Sequence, residues 1–202
     1  MKKMKSDELI KIINSGDVKK LSAYIAEKGE FMKAAIKAVF KSENPQIIKC
    51  YINGVFPIGA EFQAHQDLVA RYANRKTLCT FYMYHTLDTS GQIELIKRGD
   101  IRLFSYYNSK RPKLTKDAFK FLLEEGNPQL VKYYLENCLT DAEAVGEFVE
   151  IGNLKYLKYY IKIATGIELE ILAAVVNKLE SEELKKKIFA ECKELRPYIV
   201  VA

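Results

Sequence analysis

The feature that most constrains the fold of this chain is an apolar helix face that recurs along its length. After Gly126, the stretch GNPQLVKYYL places Leu130 and Val131 four and five residues on, and Tyr134 and Leu135 eight and nine residues on. Because an α-helix turns once in about 3.6 residues, these four side chains lie on one side of it. The same pattern follows seven anchor residues spaced 26 to 30 residues apart: Gly16, Glu43, Ala73, Gly99, Gly126, Gly152 and Glu180.

The spacing of the anchors predicts a repeat architecture. A period between about 20 and 50 residues is typical of repeat proteins, and two helices of about ten residues with two tight turns fill the period seen here. Neither helix of such a repeat buries its apolar face alone, so neighbouring repeats must stack. We therefore expect an all-α fold, an α-solenoid of about seven stacked helix-turn-helix repeats. Since no long linker interrupts the chain, we expect residues 1–202 to form a single repeat domain.

Polar residues beside the anchors predict where helices begin. A glycine anchor follows the end of one helix, where a left-handed backbone is often needed, and a short polar side chain after it caps the next helix. The predicted caps of this kind are Asp17, Asn44, Asp100, Asn127 and Asn153. Three predicted capping boxes open the first helices of other repeats: Thr89 with Gln92, Thr140 with Glu143, and Thr165 with Glu168.

Three stretches, EGNPQLVKYYLEN, IGNLKYLKYYI and SGDVKKLSAYIAEKG, resemble the second helix of ankyrin repeats, which carries a glycine, a polar residue and an apolar face in this order. The chain departs from the family in two ways. No repeat begins with Thr-Pro-Leu-His, and the period is shorter than the ankyrin value of about 33 residues. The resemblance implies an ankyrin-like solenoid with tight turns in place of the projecting β-hairpins. It also implies protein–protein recognition.

Composition narrows the class of protein and its compartment. No apolar run approaches the roughly 20 residues needed to span a bilayer. The N-terminal stretch MKKMKSDELIKII lacks the apolar core of a signal peptide, and we expect it to enter the first helix. We therefore expect a cytoplasmic protein without membrane contact. The four cysteines lie far apart and form no CxxC pair, which is typical of free thiols in a reducing cytosol: Cys50, Cys79, Cys138 and Cys192.

The sequence carries no recognisable catalytic or metal-binding pattern. His65 and His85 are its two histidines, and their spacing from Cys79 matches no zinc motif. No serine or cysteine stands in an obvious constellation with a histidine and a carboxylate, and no glycine-rich phosphate loop is present. We expect no enzymatic activity, no cofactor and no bound metal.

Aromatic residues form a column at the position eight residues after the anchor: Tyr24, Tyr51, Phe81, Tyr107, Tyr134 and Tyr160. This column is either a row of stacking platforms or a ladder in the core whose hydroxyls reach polar partners, and the core interpretation is favoured. The position one residue earlier lies at the margin of the helix face, so core packing and an exposed surface for a protein partner both stay open there. Tyr106, Tyr133 and Tyr159 occupy it.

Charge is uneven along the chain. Residues 1–120 hold 22 basic and 12 acidic side chains, and residues 121–202 hold 10 and 14. One basic cluster is interleaved with Tyr106 and Tyr107, a mixture that suits phosphate contacts and base stacking, although a solvated lysine-rich face is the simpler interpretation. The cluster consists of Lys97, Arg98, Arg102, Lys110, Arg111 and Lys113.

The hypothesis we prefer is a non-enzymatic protein–protein interaction module that binds a macromolecular partner through the solenoid surface. One alternative is a nucleic-acid-binding solenoid that uses the basic N-terminal part. Another is a viral, phage or bacterial effector that inhibits a host factor, which rests on analogy with small repeat proteins. The candidate partner-binding residues are Lys97, Arg98, Arg102, Tyr106, Lys110, Arg111, Lys113, Tyr133 and Tyr159.

Overall fold

The computed structural model describes residues 6–27, 29–55, 59–110, 113–139 and 141–198. Within these ranges the chain forms fifteen α-helices and one 3₁₀ helix, with no strand, so the prediction of an all-α fold is confirmed. The chain divides into two compact units, Met1–Lys110 and Arg111–Ala202. A single repeat domain over residues 1–202 stays a prediction.

The first unit contains nine of these helices, and most pack against the helix two places along the chain. Helix α1 packs on α3, α2 on α4, α6 on α8, and α7 on α9, as expected of helical hairpins stacked side by side. The helices are α1 (Ser6–Ser15), α2 (Val18–Ala26), α3 (Lys33–Lys41), α4 (Pro45–Gly54), α5 (Ala60–Ala64), α6 (Gln66–Tyr72), α7 (Arg75–Tyr84), α8 (Thr89–Arg98) and α9 (Ile101–Lys110).

The second unit shows the same order of packing. Helix α10 packs on α12, α11 on α13, and α12 on α14, and the 3₁₀ helix Lys193–Tyr198 packs on α14. The helices are α10 (Lys116–Glu125), α11 (Pro128–Asn137), α12 (Ala142–Ile151), α13 (Leu154–Ile163), α14 (Gly166–Asn177) and α15 (Glu182–Glu191).

The predicted helix face is buried. Five of the helices that follow an anchor bury the same four positions: Ile47, Ile48, Tyr51 and Ile52 in α4; Thr77, Leu78, Phe81 and Tyr82 in α7; Leu103, Phe104, Tyr107 and Asn108 in α9; Leu130, Val131, Tyr134 and Leu135 in α11; Tyr156, Leu157, Tyr160 and Ile161 in α13. Helix α2 buries Leu21 and Tyr24 of this face, and α15 buries Ile188 alone. The face weakens toward both ends of the chain.

The predicted helix caps beside the anchors are confirmed. In each case the side-chain oxygen accepts a hydrogen bond from a backbone amide of the first turn, which satisfies a donor that has no partner within the helix. These caps are Asp17, Asn44, Asp100, Asn127 and Asn153.

Two of the anchor positions require glycine for different physical reasons. Gly152 has a φ of 70°, in the left-handed region that the sequence predicts. Gly126 has a φ of −71°, so that prediction is wrong there. A Cβ at Gly126 would lie 2.3 Å from the carbonyl oxygen of Leu122, so close backbone approach excludes a side chain at this position.

Of the three predicted capping boxes, the structure confirms the one formed by Thr165 and Glu168. The box at Thr89 is wrong, because Asp88 is the cap of α8 and accepts from the amide of Gly91. Thr140 lies outside the described residues, and Asp141 caps α12.

The third repeat departs from its predicted form. The sequence predicts one helix over residues 61–72, but the backbone breaks at His65, which separates α5 from α6. The His65 ring stacks on Phe40, with 4.0 Å between ring centroids. This aromatic contact holds His65 against α3 at the break, a tertiary interaction that periodicity does not encode.

Candidate interaction surface

One exposed, positively charged surface of the first unit lies on α7 and α9. These two helices pack through Tyr82 and Tyr107, whose ring centroids are 4.9 Å apart. Both helices bury the four repeat positions, so their remaining side chains point away from the core. We call this surface the α7–α9 face and define it by seven residues that are exposed or, for the tyrosine of α9, half-buried: Arg75, Lys76, Met83, Tyr84, Arg102, Tyr106 and Lys110.

The cations of the α7–α9 face have no acidic neighbours within their helices. Neither α7 nor α9 contains an aspartate or glutamate. The one adjacent acid, Asp100, accepts hydrogen bonds from the amides of Arg102 and Leu103 at the start of α9. Among the described residues, none forms an ion pair with the four cations, which are Arg75, Lys76, Arg102 and Lys110.

Two predicted site residues are instead engaged inside the first unit. Lys97 forms an ion pair with Glu94 at 2.9 Å, and Arg71 contacts the same carboxylate at 2.7 Å. The Arg71 guanidinium, followed by the Lys97 ammonium, holds the pKa of Glu94 below its usual range. The Arg98 guanidinium donates to the carbonyls of Ala70 and Ala73, at 3.2 and 2.6 Å.

The contacts of Arg98 satisfy carbonyls at the C-terminus of α6, which have no partner within that helix. Its charge also complements the negative end of the helix dipole there. Arg98 therefore supports the packing of α6 against α8, and Lys97 pairs with an acid of its own helix. The sequence-predicted cluster thus contains two cations with partners in the first unit, Lys97 and Arg98, and two exposed cations without a described ion-pair partner, Arg102 and Lys110.

Tyr106 lies at the margin of the buried face, as predicted. It is half-buried, and its ring stacks on that of Tyr82 with 6.4 Å between centroids. This contact packs one side of the Tyr106 ring against α7. Arg111, another predicted site residue, lies outside the described residues.

The remaining predicted residues that the structure describes belong to the second unit. Lys113 contacts Glu143 at 2.6 Å and Asp141 at 3.4 Å, which raises the pKa of Lys113. The Tyr159 hydroxyl donates to the Glu136 carboxylate. Tyr133 is half-buried, and this burial raises the pKa of its hydroxyl.

The lysine of α11 also contacts this group, because Lys132 lies 5.5 Å from the centroid of the Tyr159 ring. Tyr159 of α13 thus contacts two charged side chains of α11, Lys132 through its ring and Glu136 through its hydroxyl.

Sequence reasoning missed the apolar part of the α7–α9 face. Met83 and Tyr84 are 67% and 62% exposed at the end of α7. Their signal was present in the sequence, since they stand ten and eleven residues after Ala73 and thus outside the repeat face.

The plus-eight aromatic column is core, as favoured from the sequence. Its six members are at most 8% exposed. The Tyr24 hydroxyl donates to the carbonyl of Glu30 at 2.7 Å, and the Tyr134 hydroxyl accepts from the amide of Leu114 at 3.1 Å. These tyrosines fasten connecting segments to the core, and their rings are not available as stacking platforms.

Both histidines contact aromatic rings. His65 lies on Phe40, and His85 lies 4.7 Å from the Phe81 ring centroid. Across the part of the chain that the structure describes, no group of three metal-ligating side chains is arranged to hold a metal ion. In the same residues, no helix combines the length and the apolarity needed to cross a bilayer.

Comparisons with known proteins give no relative: no protein-family model, no curated protein and no solved structure matches this chain. The ankyrin resemblance therefore rests on the repeat residues of the sequence alone. Function has to be argued from the surfaces themselves.

Proposed function

We propose that the chain is an ankyrin-like α-solenoid of about seven repeats and acts as a non-enzymatic protein–protein interaction module. One observation carries this proposal: five helices bury the same four positions, while their outward positions differ from helix to helix. Stacking constrains the buried positions of a repeat protein and leaves the outward ones free to contact a partner. Repeat proteins use such surfaces for binding.

The α7–α9 face is the surface that best suits this role. Methionine, tyrosine and arginine are enriched in protein interfaces, and tyrosine and arginine often supply most of the binding energy. The face combines Met83, Tyr84 and Arg102 on two packed helices. The proposal also includes a cytoplasmic location, because all four cysteines are free thiols, as expected of a reducing compartment.

Capture from a lysate of the source cell, followed by reconstitution, tests the proposal. The full chain is immobilised, and the lysate is divided into nuclease-treated and untreated halves. We expect the same protein in both halves and, after its purification, binding that saturates at a fixed stoichiometry. Recovery of no protein that binds saturably would contradict the interaction-module function.

The exposed cations of the α7–α9 face favour nucleic-acid binding as a second candidate function. Arg75, Lys76, Arg102 and Lys110 are exposed on α7 and α9, and α9 also carries the half-buried Tyr106; a phosphate-binding surface with a stacking residue combines such groups. The function predicts binding of single-stranded RNA or duplex DNA that weakens steeply as salt rises. Fluorescence anisotropy with labelled oligonucleotides measures it, and no binding at low salt removes this candidate.

A further inference from the structure

We propose that the α7–α9 face binds an acidic protein segment that carries at least one apolar side chain. The inference rests on the proposed interaction function and names the chemistry of the partner. It commits to one occupant because the face has two distinct parts. One part is cationic and the other is apolar, and each requires a matching group on the partner.

Ion pairs neutralise some cations of the first unit, but among the described residues they involve none of the four cations on the α7–α9 face. Glu94 neutralises Arg71 and Lys97, and Asp17 contacts Lys20 at 3.1 Å. No described acid neutralises Lys76 or Arg102, which occupy the same repeat position, three residues after their anchors. An acidic segment supplies the charge complementarity that these cations lack.

The apolar part of the face lies at the end of α7. Among the described residues, five large hydrophobic side chains are exposed, and Met83 and Tyr84 are two of them. They are consecutive and lie on the same helix as Arg75 and Lys76. Methionine adapts its shape to different apolar groups. Tyrosine can bury a large ring while its hydroxyl stays exposed to solvent. We infer that an apolar side chain of the partner covers them.

The polar side chains of the face favour a protein segment over nucleic acid. Thr80 and Ser109 donate their hydroxyls to the carbonyls of Lys76 and Tyr106, at 3.1 and 2.8 Å. Ser105 does the same to Arg102 at 3.1 Å. Hydroxyls commonly join cations in contacting phosphates, but these three already donate within their own helices. Exposed Met83 adds an apolar group that a phosphate backbone does not match.

Selection from a phage-displayed library of random peptides tests the inference without assuming a partner. The immobilised full chain is the target, and enriched peptides are synthesised and measured by fluorescence anisotropy. We expect enriched peptides to carry aspartate or glutamate together with an apolar residue. The Lys76→Glu and Arg102→Glu double variant should weaken their binding by about tenfold or more, since close opposite charges become like charges.

Matched variants at other positions distinguish binding at the α7–α9 face from general effects of charge and hydrophobicity. Lys33→Glu with Lys37→Glu removes the same charge from exposed positions of α3 and should change affinity by less than about twofold. Met83→Ser with Tyr84→Ser should weaken binding by about fivefold. Met32→Ser, which removes a methionine that is 63% exposed, should leave it unchanged. Circular dichroism verifies that each variant is folded.

The outcomes distinguish this inference from the proposed function. Enriched peptides without acidic residues, or peptides insensitive to Lys76→Glu with Arg102→Glu, would overturn the inference and leave an interaction module that binds elsewhere. Oligonucleotide binding that this double variant abolishes, with no enriched peptide, would overturn it in favour of nucleic acid. Failure to enrich any peptide, together with no partner captured from lysate, would contradict the proposed function as well.

Discussion

The outward sides of α7–α9 and α11–α13 occupy corresponding positions in the repeat. They differ in whether their charged side chains have partners within the protein. Between α11 and α13, the Glu136 carboxylate accepts from the Tyr159 hydroxyl and Lys132 lies beside the Tyr159 ring, so each charged group has a partner within the protein. On α7 and α9, Lys76 and Arg102 find no described acidic partner. Charged side chains that already have partners in the protein gain little from binding. Cations without an acidic partner are neutralised when an acidic partner binds.

The two pairs also differ on the inside. At the position nine residues after the anchor, α11 and α13 bury Leu135 and Ile161, while α7 and α9 bury Tyr82 and Asn108. The Tyr82 hydroxyl and the Asn108 Oδ1 have no hydrogen-bond partner among the described residues, and the Tyr160 hydroxyl of α13 shares this property. Inside the protein, the two pairs therefore differ in the polarity of the residue nine positions after the anchor.

Exchanging the residues at this interior position should give the largest effect. Leu135→Asn places an amide in an apolar site and removes buried methyl groups, so we expect a loss of about 3 kcal/mol in the free energy of unfolding. Asn108→Leu removes a buried carbonyl oxygen without a partner and should gain about 1 kcal/mol. Urea unfolding followed by circular dichroism measures both. Equal losses for the two variants would contradict the distinction between the pairs.

The plus-eight tyrosines offer a second comparison. Tyr134→Phe leaves the buried amide of Leu114 without its partner, and we expect a loss of about 2 kcal/mol. Tyr107→Phe should lose less, because the Gln92 side-chain amide that donates to Tyr107 also donates to the carbonyl of Leu87. The same urea titration ranks the two variants. The reverse order would show that the tyrosine hydroxyl of α11 does not anchor its connecting segment.

The ion pairs of the two units should respond differently to acid. The pKa of Glu94 is lowered in the folded state, so its contribution is present above the ordinary carboxyl pKa of about 4.3 and is lost as pH falls through the folded value. Glu94→Gln should remove about 1 kcal/mol at neutral pH, discounted because Arg71 and Lys97 are half-exposed. It should also reduce the loss in the free energy of unfolding as the pH falls from neutral to acid.

Glu143→Gln is the control for this measurement. Its carboxylate is 77% exposed in the pair with Lys113, so we expect no measurable change in stability. Thermal unfolding at closely spaced pH values between neutral and acid follows both variants. If Glu94→Gln lost stability with falling pH as steeply as the unmodified protein does, the Arg71–Glu94–Lys97 network would be excluded as the cause of the acid sensitivity.

The smallest effect on stability is expected for the outward side of α11 and α13, where Tyr159 contacts Lys132 and Glu136. Tyr159→Phe removes the hydroxyl that donates to Glu136 but keeps the ring beside Lys132, and we expect a change below about 0.5 kcal/mol. The same change should release Glu136 for solvent without altering the fold. A loss comparable to that of Tyr134→Phe would mean that this surface contributes to the core.

The local features of the fold were predictable from the sequence. The buried face of α11 and the cap at Asn127 depend on residues within one helix, so periodicity and side-chain chemistry identify them. The break at His65 coincides with a ring contact to Phe40 of an earlier repeat, and nothing within the segment itself indicates it. Short-range patterns carry no record of such contacts.

The candidate site was predictable only in part, for the same reason. Arg98 and Arg102 look alike in the sequence, yet Arg98 satisfies carbonyls of α6 while Arg102 stays exposed. Which cation is used internally depends on helices that lie 25 or more residues away. Arg102, Tyr106 and Lys110 stay candidates for partner binding, now joined by Met83 and Tyr84.

The affinity of a purified partner for two charge-reversed chains tests the central claim most directly. One chain carries Lys76→Glu with Arg102→Glu, and the other carries Lys132→Glu with Lys155→Glu on α11 and α13. Isothermal titration calorimetry should show a loss of about tenfold or more for the first and less than about twofold for the second. Equal affinities, or a larger loss in the α11–α13 variant, would contradict the assignment of binding to the α7–α9 face.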